Sequence, residues 1–228
     1  MRSWRSLYEM LWFPITVLYF AVFLLGFGNL LSNEAYVAII DVNNEFVLLM
    51  ADCMVRIGTF LIAQFPLLFL LRLSARKAGS ATTMISALSG YIAFLVITMY
   101  FGRQDLPASA YSSILGLSMT TAGSATVRGG VHYPLQTGVV AAAVVAVITQ
   151  ISFSRSRNRS EYSFFSFMSR DTWCVIHTVV LSAVAALVVT YAWPYVINGI
   201  TRAMDYIARD TTNPVNLVMY GVLERFLG

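Results

Sequence analysis

Long uncharged runs of apolar residues alternate with short polar segments along the whole chain. A helix that crosses a bilayer needs about 20 predominantly apolar residues. The runs predicted to be five transmembrane helices are Phe13–Leu31, Gly58–Leu71, Gly79–Gly102, Pro134–Phe153 and Trp173–Ile197. The expected fold class is an all-α integral membrane protein in which residues 1–228 form a single transmembrane domain.

The apolar run over residues 46–71 is too long for one span, and it contains two charges, Asp52 and Arg56. It predicts a shorter helix that ends near Ile57, followed by the second span. Because proline interrupts helices, this span is expected to kink near Pro66.

Four further segments have patterns of their own. Helical spacing brings one set of apolar side chains to a single face near the N-terminus: Trp4, Leu7, Tyr8, Leu11 and Trp12. This face predicts a short interfacial helix, and the alternative is a first turn of the same span. Asn198–Asp210 is amphipathic and is predicted to be a second interfacial helix, while Leu217–Leu227 begins another apolar helix. Leu106–Val127 is uncharged but rich in Ser, Thr and Gly, which favours either close packing in the bundle or a re-entrant segment.

Composition supports the membrane class. Hydrophobic residues make up 58% of the chain and charged residues 11%, whereas a soluble domain carries roughly 25% charged residues. A soluble core of this size would also need a charged shell that these residues are too few to build.

The basic residues predict an orientation. With the N-terminus in the cytoplasm, nine of them fall in inside segments and five in outside segments. The inside set is Arg2, Arg5, Arg72, Arg76, Lys77, Arg155, Arg157, Arg159 and Arg170, and the outside set is Arg103, Arg128, Arg202, Arg209 and Arg225. An excess of basic residues on the cytoplasmic side is typical of membrane proteins, so the basic loops indicate topology rather than a nucleic-acid partner.

Three ionisable residues inside apolar runs are candidate site residues: Asp52, Arg56 and His177. Charges at membrane depth are costly and often functional. Asp52 and Arg56 are four apart and share a helix face. We favour a structural ion pair near the membrane interface over a functional site. A single histidine in a bundle, His177 or His132, more often bonds to a neighbouring carbonyl or hydroxyl than binds a ligand.

Enzymatic chemistry has little support in the residue pattern. Cys53 and Cys174 lie in apolar stretches and predict neither a disulfide framework nor a metal cluster. We expect no catalytic constellation, no metal and no cofactor, because the known metal and nucleophile spacings do not occur.

Several segments, taken in order, carry a more specific pattern. They are Leu11-Trp-Phe-Pro-Ile-Thr-Val-Leu, Leu25-Gly-Phe-Gly-Asn-Leu-Leu, Gly138-Val-Val-Ala-Ala-Ala-Val, Tyr162-Ser-Phe-Phe-Ser-Phe-Met-Ser-Arg, Thr178, Trp193-Pro-Tyr-Val-Ile-Asn-Gly-Ile and Tyr220-Gly-Val-Leu-Glu-Arg-Phe-Leu. Together they resemble the membrane component (enzyme IIC) of bacterial phosphotransferase-system sugar permeases, glucose–glucoside type. The resemblance covers nearly all of the chain, and the order and spacing of the motifs carry more weight than any single one.

The resemblance implies the N-terminal, scaffold-forming half of such a permease, located in the bacterial inner (cytoplasmic) membrane. In the family this half makes the homodimer interface. The implied partners are the lipid bilayer, a second copy, a separate chain with the C-terminal half and the soluble phosphotransferase components.

The departures from the family pattern concern both residues and length. Asp171 and Thr172 stand where the family has a basic pair, Arg170 is one residue early, and Val175 replaces a proline. The sequence stops at Gly228, before the family's sugar-binding half, so a truncated or split form is expected.

The segment Ala51–Ile57 also resembles the phosphorylated-cysteine motif Asp-Ala-Cys-x-Thr-Arg-Leu of the soluble B component, with Val55 in place of the threonine. A phosphocysteine needs a solvent-reached site with backbone donors. Both flanks here are apolar, so chance similarity is favoured.

Three functions follow as hypotheses. The first is a truncated or split sugar-permease component. The second is a stand-alone membrane interaction or regulatory protein that is derived from such a half and does not transport. The third and weakest is a membrane enzyme.

Overall fold

The computed structural model describes residues 2–33, 45–78, 81–102, 119–120, 131–157, 169–208 and 218. These residues form six helices and one short pair of strands. The helices are α1 Arg2–Leu31, α2 Glu45–Ala63, α3 Phe65–Ala78, α4 Ala81–Phe101, α5 Gly138–Arg157 and α6 Arg170–Ala208. Strand β1, Met119–Thr120, is antiparallel to strand β2, Val131–His132.

Five of these helices contain a stretch that is long and apolar enough to cross a membrane, which confirms the predicted helical class. The stretches are Trp12–Leu31, Glu45–Ala63, Ala81–Phe101, Gly138–Arg157 and Arg170–Arg202. The first, third, fourth and fifth coincide with predicted spans apart from their end residues.

The second apolar helix differs from the prediction. α2 continues through Gly58 to Ala63, so the helix does not end near Ile57. The break comes at Gln64, whose carbonyl accepts from two N–H groups that follow it. Pro66 lacks the N–H that a continuous helix needs and restricts the residue before it, which explains why the break lies here.

The two predicted interfacial helices are continuous with neighbouring helices. α1 runs unbroken from Arg2, which agrees with the alternative that residues 4–12 belong to the first span. α6 runs through Pro194 and continues past Asn198 to Ala208, so the amphipathic segment is not a separate helix where the structure describes it.

Some predicted segments lie outside the described residues. They are Leu106–Val127 except for β1, the loop before Ser169, and Leu217–Leu227 except for position 218. The predictions for these segments stay predictions.

The helices form a four-helix bundle with a two-helix arm. α4 and α6 share the most extensive contact, and α3 and α5 pack against each other and complete the bundle. α1 and α2 pack side by side as the arm, and the contact between α1 and α3 connects the arm to the bundle.

The bundle interior contains both apolar side chains and hydroxyl groups. Its buried cluster contains Leu70, Ala87, Tyr91, Phe94, Leu95, Ala141, Ala142, Val145, Ala146 and Ala186. Buried Ser and Thr side chains accompany this cluster, among them Ser86, Thr98, Thr149, Ser152, Thr178 and Ser182. Many apolar side chains also face outward, as at Val180, Val184 and Val188, which are 55% to 65% exposed. Small and hydroxyl-bearing residues at helix contacts, with apolar side chains on the outer surface, are typical of helices packed in lipid.

Gly90→Ala in α4 is expected to destabilise the bundle. A Cβ at Gly90 would lie 2.8 Å from both Ser182 Oγ and Thr178 Cγ2 of α6, so these side chains or the helices that carry them would have to shift. Overpacking of this kind costs about 1–3 kcal/mol of unfolding free energy. Reversible unfolding in mixed micelles measures this loss.

Gly26→Ala in α1 is the matched control, because nothing lies within 4 Å of the Cβ that it adds. Alanine favours helix more than glycine does, so the control should keep or slightly raise stability. An equal loss in both variants would contradict the importance of the α4–α6 contact.

Candidate functional site

The arm is held together by small residues that recur every seven positions. Ala21 and Ala51 are fully buried. A Cβ added at Gly28 would lie 2.8 Å from the carbonyl oxygen of Ala51, and one added at Gly58 would lie 2.7 Å from the carbonyl oxygen of Ala21. The contact is therefore reciprocal, and it brings the two antiparallel backbones close together, as small residues do between membrane helices. Gly58, which the sequence prediction used as a break, is a packing residue.

The opposite side of α2 carries the predicted ion pair. Arg56 donates through Nε to Asp52 Oδ2 at 2.7 Å. The side chains of Asp52 and Arg56 are 61% and 78% exposed, so both point away from the rest of the described chain. The pairing agrees with the four-residue spacing, and no observation here tests whether it has a functional role.

The position of the pair along α2 follows from the helix bounds. Asp52 lies seven residues after Glu45, and Arg56 lies seven residues before Ala63. At 1.5 Å per residue, each charge is about 10 Å from the nearer helix end. Because α2 continues past Ile57, the pair sits in the middle of an apolar helix rather than near its end.

His177 lies between α5 and α6. Its Nδ1 is 2.9 Å from Ser152 Oγ of α5, and its ring lies 6.3 Å from the ring of Trp173. Ser152 is fully buried. The contact agrees with the structural interpretation, in which this histidine pairs with a neighbouring hydroxyl. For His132 the structure gives only its backbone position in β2.

Further hydrogen bonds hold α3, α5 and α6 together at the end of the bundle where His177 contacts Ser152. The Ser156 hydroxyl of α5 donates to the Arg170 carbonyl at the start of α6. Gln150 of α5 donates through Nε2 to the Leu73 carbonyl of α3 at 3.2 Å. Ser169 caps α6, because its hydroxyl accepts from the Thr172 N–H at 3.1 Å.

The three candidate residues lie in two separate parts of the structure. α2 packs chiefly on α1, whereas His177 lies at the contact of α5 with α6. The structure brings Asp52 and Arg56 together and does not bring His177 to them. Among the described residues, no group of three His, Cys, Asp or Glu side chains lies close enough to hold a metal ion.

Sequence reasoning missed a buried line of small residues along α6. Its members follow one another at intervals of four, and each is at most 3% exposed: Cys174, Thr178, Ser182, Ala186 and Thr190. This line faces α4, where the Ser86 hydroxyl donates to Cys174 Sγ at 3.5 Å. The strict four-residue interval was the signal that could have revealed it.

The two cysteines differ in environment. Cys53 is exposed on α2 and Cys174 is buried, and neither forms a disulfide. Because Cys53 lies inside a helix, the N–H groups around it are already bonded within that helix. They are not available to hold a phosphate, which agrees with chance similarity to the phosphocysteine motif.

The Trp-Pro segment fixes α6 against the start of α5. Trp193 donates through Nε1 to the Gln136 carbonyl at 3.0 Å. Two residues later the chain enters α5 through Gly138, whose φ of 50° is a conformation that favours glycine. Trp193 therefore has a defined packing role in this structure.

No protein-family model matches the sequence. The resemblance to the permeases accordingly rests on the ordered motifs themselves.

The bond between His177 and Ser152 should be measurable as a coupling energy. His177→Leu is expected to destabilise the protein, because it leaves the buried Ser152 hydroxyl without this partner. Polar contacts between membrane helices give coupling energies of about 0.6 kcal/mol on average and about 1.7 kcal/mol at most. A double-mutant cycle with Ser152→Ala in mixed micelles should fall in that range.

Ser154→Ala supplies the matched control for that cycle. Ser154 is an exposed neighbour in α5 whose hydroxyl bonds to the Ile151 carbonyl of its own helix. Its coupling to His177→Leu should be near zero. Equal coupling at positions 152 and 154 would mean that the histidine acts on α5 as a whole.

Proposed function

We propose that this chain is a multi-pass membrane subunit that forms the rigid scaffold half of a phosphotransferase-type sugar permease. The observation that carries the proposal is the ordered set of permease-like motifs in a chain with five long apolar helices. The bundle supports a scaffolding role, because the α4–α6 contact is closely packed at Gly90 and Trp193 fixes α6 to the segment before α5. The sugar-gripping half would be supplied by further polypeptide.

The proposed orientation places the N-terminus in the cytoplasm. The bonds that join α3, α5 and α6 bring Arg155, Arg157 and Arg170 to one end of the bundle. Arg72 of α3 lies at the same end, with its guanidinium carbon 6.0 Å from the ring centroid of Phe13 near the start of the first apolar stretch. A basic end is typical of the cytoplasmic side, which supports this orientation and a place in the bacterial inner membrane.

Reporter fusions test the orientation. Alkaline phosphatase is active only outside the cytoplasmic membrane, and green fluorescent protein exported in unfolded form fluoresces only inside it. Fusions that end at Arg157 should fluoresce without phosphatase activity, and fusions that end at Gly102 should give the reverse. Reversed readings at both sites would overturn the orientation, and equal readings would contradict a crossing by α5.

Transport is tested in proteoliposomes. We expect phosphoenolpyruvate-dependent uptake of sugar when this chain is reconstituted with the proposed sugar-binding half and with the soluble phosphotransferase components. Trp193→Phe should reduce uptake, because it keeps the aromatic ring but removes the donor to the Gln136 carbonyl. Tyr191→Phe, at an outward residue of the same helix that is 70% exposed, is the control and should transport normally.

Absence of uptake in every combination would favour the alternative, a membrane interaction protein that does not transport. One observation favours that alternative independently. The exposed ion pair on α2 is a polar surface in an otherwise apolar helix, as expected where another protein binds.

A further inference from the structure

We propose that the end of the bundle at which α5 meets α6 binds the head group of an anionic phospholipid. Arg155 and Arg157 would be its main ligands, with Arg170 beside them. Such a site requires that the helices lie in a membrane, which is one part of the proposed function, but it does not require sugar transport.

One hydrogen bond brings the three arginines to the same point. The Ser156 hydroxyl of α5 donates to the Arg170 carbonyl at the start of α6. Arg155 and Arg157 are the two neighbours of Ser156 in the chain, so their backbones lie within one residue of that bond. All three arginine side chains are exposed, so the rest of the described chain does not cover them.

Basic residues outnumber acidic ones at this point among the described residues. α3 and α5 contain no acidic residue, and the first turn of α6 contains only Asp171. Like charges that are held close together repel each other more strongly where water is scarce, as it is beside lipid. An anion between the arginines removes this repulsion, so the site favours a negatively charged ligand.

Arg157 is held in a position that suits a phosphate. Its guanidinium carbon lies 5.6 Å from the centroid of the Phe153 ring, one turn earlier in α5. A cation–π contact needs no hydrogen-bond acceptor, so the guanidinium N–H groups can bond to phosphate oxygens, which they match two at a time. Because the ring restricts the side chain before a ligand arrives, less conformational entropy is lost on binding.

An apolar surface begins directly beside the arginines. Ile151 and Val147 precede Arg155 by four and eight residues, so they lie on the same face of α5, and they are 44% and 53% exposed. At 1.5 Å per residue, this face extends about 12 Å from Arg155, within the roughly 15 Å of hydrocarbon in one leaflet. A phospholipid has a negative head and apolar chains that fit both parts, whereas free phosphate would use the arginines alone.

Native mass spectrometry of the full chain, released from detergent micelles with one added lipid, tests the site. We expect the chain to retain phosphatidylglycerol at concentrations at which phosphatidylcholine, whose choline carries a compensating positive charge, does not bind. The double variant with Arg155→Gln and Arg157→Gln should bind phosphatidylglycerol about 25-fold more weakly, because each arginine near a membrane surface contributes about fivefold.

Arg202→Gln is the matched control. Arg202 is also an exposed arginine of α6, but it lies near the opposite end of that helix from Arg170. The control should bind phosphatidylglycerol as tightly as the unchanged chain. Equal weakening by the control, equal binding of phosphatidylcholine, or no binding of phosphatidylglycerol by the unchanged chain would overturn the proposal.

Glycerophosphoglycerol, which is the same head group without acyl chains, separates a lipid site from a site for a soluble phosphate ester. It should fail to displace the lipid when added in excess, and displacement would contradict a lipid site. Monodisperse elution shows that each variant is folded. If the double variant aggregates, the two single variants, each expected to bind about fivefold more weakly, serve instead.

The outcomes for lipid and for sugar are independent. Sugar uptake without a preference for the anionic lipid would sink this inference alone. A preference for phosphatidylglycerol that depends on Arg155 and Arg157, without uptake in any combination, would sink only the transport proposal.

Discussion

The long apolar helices of this fold place a constraint on their polar groups, because in a bilayer a group that faces lipid has no water to bond. Several buried threonine hydroxyls meet this constraint within their own helix. Thr149, Thr178 and Thr190 each donate at 2.8 Å to a carbonyl four residues earlier in the same helix. A hydroxyl satisfied in this way behaves as a small packing group. This explains how so much Ser and Thr occupies the interior while valine and phenylalanine cover the outside.

Small residues then decide which helices approach each other. In the absence of a hydrophobic driving force between helices in lipid, close packing and short polar contacts supply the association energy. Gly28 and Gly58 allow it in the arm, and Gly90 allows it between α4 and α6. The two contacts differ in setting, since α4 and α6 have further neighbours in the bundle, whereas α2 packs chiefly on α1.

The apolar runs were sufficient to predict the class of fold and four of the five long helices, because length and the lack of charge are properties of the sequence alone. The prediction of the second helix was wrong because Asp52 and Arg56 were taken as its boundary and Gly58 as a break. Whether a glycine ends a helix or admits a neighbour depends on tertiary packing, here the approach of Ala21. The same limit applies to the site. The spacing of Asp52 and Arg56 predicted their bond, but the partner of His177 required knowledge of which helix lies beside it.

The position of the ion pair follows from the division between arm and bundle. A helix inside a four-helix bundle can turn a polar residue toward its neighbours, as Gln150 and His177 turn toward theirs. Among the described helices, α2 packs extensively on α1 alone, and the close contact at Ala51 and Gly58 leaves no room there for a carboxylate or a guanidinium. Charges at positions 52 and 56 must therefore face away from the chain. The small residues that join the arm and the charges on its far side are thus two consequences of one packing arrangement, so a surface that covers the charges would bind the arm without disturbing the bundle.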